Sequence, residues 1–118
     1  MPKVVAIVND LMTMTRIRNA AEELGLQVAI VGNESQLDRY ARDCELIILD
    51  LESDFLNPMD VVTRLKSSAD TSKIRLVGFL SHTNNQVKEK ALAVGCDDVL
   101  SRFEFNSSLK EILQTASC

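Results

Sequence analysis

Short apolar runs alternate with longer stretches whose apolar residues fall three or four apart. The short runs are Val4–Val8, Val28–Val31, Leu46–Leu49, Ile74–Leu80 and Val99–Leu100. Each is too short for a helix and has no polar alternation, as expected of strands buried on both faces. The longer stretches place one apolar stripe on a helix. The stripes are Met14, Ile17, Ala21 and Leu24; Leu37, Tyr40, Ala41 and Cys44; Met59, Val62 and Leu65; Val87, Ala91 and Val94; and Leu109, Ile112, Leu113 and Ala116.

Boundary residues agree with this division. Gly25 and Gly95 follow the first and fourth stripes, where a helix end favours a left-handed residue. Asn57-Pro58 reads as an N-cap followed by proline at the first helical position. Ser108 and Glu111 have capping-box spacing before the last stripe. The order βαβαβαβαβα predicts a doubly wound α/β fold, with a five-stranded parallel sheet covered by helices on both faces. The expected strand order is 2-1-3-4-5, that of flavodoxin-like folds. The 118 residues are expected to form one domain, spanning 1–118.

Polar residues stand where the apolar runs stop. Asn9 and Asp10 follow the first run, Asp50 the third, Ser81 the fourth and Arg102 the fifth. In a parallel sheet these positions gather at the carboxyl edge, where open α/β sheets bind ligands. Acids, a hydroxyl and a cation together suit a divalent metal and a phosphoryl group. Asp10 also suits a helix N-cap, and Ser81 could satisfy its hydroxyl on nearby backbone. Arg102 could pair with Asp50, clamp a phosphoryl oxygen or face solvent. His82 is the only histidine. It could titrate near neutral pH, screen Asp50 from water or simply be solvated.

Composition narrows the function. Hydrophobic residues make up 46% of the chain, enough for a sizeable core. No apolar run reaches the roughly 18 residues of a membrane span, and Met1-Pro2-Lys3 lacks a signal-peptide layout. A cytoplasmic location without membrane contact is expected. The net charge of -4 and the lack of a basic helix argue against nucleic acid. Cys44, Cys96 and Cys118 form no metal pattern or disulfide framework. Cys44 and Cys96 read as core residues, and Cys118 as exposed.

Five βα units with acids after strands one and three resemble the receiver domain of bacterial response regulators, along the whole chain. Ile47-Ile48-Leu49-Asp50 matches the family's phosphoacceptor strand, Ser81 its strand-four hydroxyl, and Asp97-Asp98-Val99-Leu100-Ser101-Arg102 its approach to a strand-five lysine. The resemblance implies that Asp50 accepts a phosphoryl group, with Ser81 and Arg102 assisting. It also implies Mg2+ on Asp10, Asp50 and the backbone carbonyl of Glu52, bound weakly here because Asn9 removes one charge. The Glu52 carboxylate could reach over the same site.

Departures from the family pattern are specific. Asn9 replaces the first acid, Arg102 the lysine, Val99 the aromatic switch residue and Phe103 the following proline. Ser53-Asp54 stands in place of Met-Pro, Asn57-Pro58 in place of Asp-Gly, and His82 in place of a small residue.

The first expectation is a stand-alone receiver in two-component signalling. A histidine kinase or phosphotransfer protein would supply the phosphoryl group, and a downstream protein would read the result. Any catalysis would be limited to self-phosphorylation and dephosphorylation at Asp50. The alternative is a degenerate receiver that binds protein without phosphorylation. A third expectation is a flavodoxin-like small-molecule binder or enzyme. It is disfavoured by the lack of a glycine-rich phosphate loop and the scarcity of aromatic rings. Oligomeric state is open.

Overall fold

The computed structural model describes residues 2–53, 56–81 and 85–116. In chain order the elements are β1 (Val4–Ile7), α1 (Leu11–Glu23), β2 (Val28–Ile30), α2 (Glu34–Ala41), β3 (Leu46–Asp50), α3 (Pro58–Ser67), β4 (Arg75–Leu80), α4 (Asn85–Val94), β5 (Asp98–Ser101), α5 (Arg102–Ser107) and α6 (Leu109–Gln114). All strand pairs are parallel, in the order β2-β1-β3-β4-β5. The architecture expected from the alternating periods is therefore present.

Alternation along the strands sends apolar side chains to both faces. Val5, Ile7, Ile47, Leu49, Leu76 and Leu80 face a layer that includes Leu37, Val62, Leu65 and Ala91, from α2, α3 and α4. Val4, Ala6, Leu46, Ile48, Val77 and Phe79 face Ile17, Phe105, Ile112 and Leu113, from α1, α5 and α6. Asp50 continues the second set and pairs in register with Phe79. Its side chain is thus aimed toward the α1 and α5 side of the sheet.

Gly25 (φ 70°) and Gly95 (φ 118°) end their helices in the left-handed region, as their positions predict. Asn57 caps α3 by accepting from the Met59 and Asp60 amides. Lys66 binds β4 and β5 to α3. Its Nζ donates to the Ser72 and Ile74 carbonyls and to Asp97, whose Oδ2 also accepts from the Leu76 amide.

Two local expectations need correction. The segment after β5 is not one helix beginning beyond Ser108: α5 and α6 are separate short helices that meet at Ser108. The capping box lies at Ser101 and Glu104, where both reciprocal bonds form, whereas Ser108 makes no side-chain cap bond. Both serines have a glutamate three residues later. Ser101 wins because the chain leaving β5 is extended there (ψ 160°), as an N-cap requires, while Ser108 has ψ of 10°. The second helix also ends at Ala41, so Cys44 lies beyond it. Its thiol is still buried, against the Ala41 carbonyl. Burial pushes the thiols of Cys44 and Cys96 up to about 11, consistent with inert core residues. Cys118 lies outside the described residues.

Gly78 carries a packing demand that bears on the site. A Cβ there would lie 2.6 Å from Leu51 Cδ1 and 2.8 Å from its Cγ. The bare glycine lets Leu51 cross β4 directly after Asp50. Gly78→Ala is expected to destabilise by about 1–3 kcal/mol through overpacking. Leu51→Ala should cost about 2–5 kcal/mol through its cavity. Because the two changes relieve each other, the double variant should lose clearly less than the sum of the singles in urea titrations. Simple additivity would show that Leu51 does not limit the space at Gly78.

Candidate functional site at the carboxyl edge of the sheet

The site begins with a carboxylate almost removed from water. Asp50, at the end of the central strand, is 4% exposed. Its Oδ1 accepts from the Glu52 amide at 2.9 Å, and its Oδ2 lies 3.3 Å from Arg102 Nη2. Burial raises its pKa above the ordinary 3.8; the Glu52 amide and the Arg102 charge pull the other way, while the charges of Glu52 and Asp10 add to the rise.

Arg102 is the first residue of α5, not a free side chain beyond β5. Its guanidinium lies between the two acids expected to share a cation, with Nη1 3.9 Å from Asp10 Oδ2. It also contacts Thr13 Oγ1 at 3.4 Å and lies over the Phe79 ring, 5.1 Å from the centroid. Phe79 stacks on Phe105 with centroids 4.5 Å apart. The flat, delocalised cation suits a position between carboxylates and an aromatic face.

Asp10 caps α1. Its Oδ2 accepts from the Thr13 amide at 3.0 Å and from the Thr13 hydroxyl. Those bonds, with the nearby Arg102 charge, hold its pKa below the ordinary value. The cap and the site are therefore the same carboxylate. Asn9 is exposed just beyond β1.

Ser81 follows β4, and both of its donors are engaged. Its amide and hydroxyl meet one Glu52 oxygen, Oε1, at 2.7 and 2.8 Å. Glu52 thus touches Asp50 through its amide and Ser81 through its carboxylate. Beside Ser81 a cavity of about 130 Å³ is lined by Leu80, Asn85, Lys88, Val99 and Glu104, among others. Val99 borders this space without filling it. His82 lies outside the described residues.

Asp10, Asp50, Ser81 and Arg102 therefore come together, with Glu52, as two connected pairs of contacts. Sequence reasoning missed Thr13, Phe79 and Phe105, which hold Asp10 and Arg102 in place. Phe79 lies inside an apolar run, so nothing marked it apart from the other core residues. Thr13 lies three residues after Asp10, the spacing of a cap contact, and was legible on that ground.

Asp10 and Asp50 present hard oxygens toward one positive charge, which fits the donor chemistry of magnesium. Among the described residues no three His, Cys, Asp or Glu side chains form a metal cluster. Among the described residues, a metal at this edge would draw on these two carboxylates together with backbone oxygen and water. No helix is long and apolar enough to cross a membrane among the described residues.

The signs of the two shifts give a test. The Asp50 pKa is raised by folding, so its contribution is fully stabilising below 3.8 and is lost as pH rises through the folded value. The Asp10 pKa is lowered, so its contribution is present above 3.8 and lost as pH falls through the folded value. Asp50→Asn is expected to raise the thermal midpoint by several degrees at pH 7, with the gain fading toward pH 3. Asp10→Ala should lower the midpoint at pH 7, with the loss shrinking on acidification. Calorimetry across that range checks both, and a destabilised Asp50→Asn at pH 7 would contradict the first.

No protein-family profile matches the sequence, and no curated protein matches it. Solved structures do resemble its fold. The chemotaxis response regulator CheY4 of Vibrio cholerae superposes with a TM-score of 0.80 at 19% identity, covering 98% of each chain. The receiver domain of the sensor histidine kinase PA1611 from Pseudomonas aeruginosa PAO1, solved with magnesium in its active-site cleft, gives 0.79 at 18%, covering 99% of this chain and 98% of that one. A response-regulator receiver domain from Bermanella marisrubri gives 0.76 at 21% over the whole of both chains. The fold of this chain is that of the response-regulator receiver domains.

Proposed function

We propose that this chain is a receiver module of two-component signal transduction, with Asp50 as phosphoacceptor and protein contact as output. The observation that carries the reading is the gathering of Asp10 and Arg102 around Asp50 at the carboxyl edge of a receiver-type sheet. In the proposed reaction one Asp50 oxygen forms a bond to phosphorus as the P–N bond of a phosphohistidine breaks, and the histidine nitrogen leaves with the electron pair. Magnesium, when bound, supplies positive charge against the anionic donor. Asp10, Asp50 and the Glu52 carbonyl would hold it. Arg102 would release Asp50 and turn to a phosphoryl oxygen, a role its planar fork suits. A histidine kinase or phosphotransfer protein is the donor chemistry this implies, and a downstream protein is the recipient of the signal.

A second reading is a protein-binding module that works without phosphorylation. In that case Arg102 would stay on its acids and Ser81 on Glu52.

Incubation with a small phosphodonor and magnesium, followed by intact mass, separates the two. The phosphoacceptor reading expects a single phosphoryl adduct that is absent in Asp50→Asn. No adduct at saturating donor, with the protein folded, would support the second reading. Asn9→Asp restores a negative charge beside Asp10 and should tighten magnesium binding several-fold in a calorimetric titration. Unchanged affinity would mean that Asn9 does not face the metal.

A further inference from the structure

We propose that the Glu52 carboxylate is an internal competitor, holding the Ser81 amide and hydroxyl that an incoming phosphoryl oxygen would use. Two donors of one residue converge on a single oxygen, Oε1, at 2.7 and 2.8 Å. The amide contact is short for an N–H···O bond, and the hydroxyl contact has the ordinary O–H···O length. An ordinary loop staple needs one such bond. Two donors aimed at one anionic oxygen make the arrangement that also receives an oxygen of a tetrahedral oxyanion.

The placement of Glu52 follows from the packing beneath it. Gly78 leaves room for Leu51 to cross β4, and the Leu51 amide is fixed on the Phe79 carbonyl at 3.0 Å. The next residue is thereby carried toward Ser81, the first position after the same strand. Its own amide stays on Asp50 Oδ1 at 2.9 Å. Glu52 thus bridges the acid and the donors, and its negative charge lies where an incoming oxyanion would lie. Two like charges on one pair of donors oppose each other, so the carboxylate has to leave before phosphate can enter. Glu52 is therefore an internal competitor. It holds the site in a filled state at rest, and the ligand class it excludes is phosphate and phosphoryl groups.

This inference deepens the phosphoacceptor reading and rests on it for the identity of the natural anion, but its test does not need Asp50 to react. The test is a titration of the full chain with inorganic phosphate, without metal, followed at the Ser81 amide by NMR. Glu52→Ala is expected to bind phosphate at Ser81 at least about tenfold more tightly than the wild type. Glu52→Gln keeps an acceptor and loses the charge, so it should fall between them. Adding Ser81→Ala to Glu52→Ala should weaken the new binding. Glu52 is exposed, so truncation leaves the core intact, and the dispersion of amide signals verifies the fold. In the absence of phosphate the Ser81 amide should exchange faster in Glu52→Ala than in the wild type.

Equal phosphate affinity in wild type and Glu52→Ala overturns the inference, as does a gain at residues other than Ser81. The phosphodonor experiment on the same variants separates it from the functional reading. Gained phosphate binding without an adduct at Asp50 supports the internal competitor and overturns the phosphoacceptor. An adduct without any gain in phosphate binding does the reverse.

Discussion

Asp50 ends the central strand with 4% of its surface in water, and a carboxylate so placed needs neutralisation from close range. Arg102 and the groups that hold it answer that need, while the Glu52 and Asp10 charges work against it. Arg102 brings the cation from the start of α5. Phe79 supplies the face on which the guanidinium lies, and Phe105 backs that ring from the same helix as Arg102. Asp10 and Thr13 hold the other end of the guanidinium from α1. Since burial still outweighs these attractions at Asp50, the charge there is only partly compensated at rest. A site in that condition favours whatever brings further positive charge or removes the negative one.

The parallel order of strands makes this convergence possible. β1, β3, β4 and β5 lie side by side in that order in the sheet and run in one direction. Their carboxyl ends therefore meet at one edge despite wide sequence separation. Capping contributes as well. Asp10 starts α1 and Ser101 starts α5, so the helices that carry Thr13 and Arg102 begin at the site itself. The caps that stabilise these helices also orient the groups that face Asp50.

The fold was legible in the chain because it depends on crude features. Val4 to Ile7 and Leu46 to Leu49 are apolar on both faces, and only a sheet covered on both sides buries such strands. Gly25 and Gly95 marked helix ends through the conformation they alone adopt cheaply. Ser101 was harder. Its Ser-Arg-Phe-Glu spacing is that of a capping box, but Val99 and Leu100 before it read as the end of a strand and Ser108 offered the same spacing. The choice depended on backbone conformation, which spacing does not encode. The strand-end residues were legible, and so was an Arg102–Asp50 pair as one option among several; the aromatic supports were not. That Arg102 lies over Phe79, or that the Glu52 carboxylate meets Ser81, depends on rotamers chosen in three dimensions. The likeness to known receivers at about one-fifth identity fits this division. A core asks for apolar volume in the right pattern, whereas a site asks for particular atoms.

Burial raises the Asp50 pKa, and Arg102 restrains that rise. Carbon-13 NMR of the Asp50 side-chain carboxyl, followed through a pH titration of the wild type and of Arg102→Met, tests it most directly. A wild-type midpoint above the ordinary 3.8, moving higher when the guanidinium is removed, is the predicted result. A wild-type midpoint at or below 3.8, or one that ignores the loss of Arg102, would contradict it.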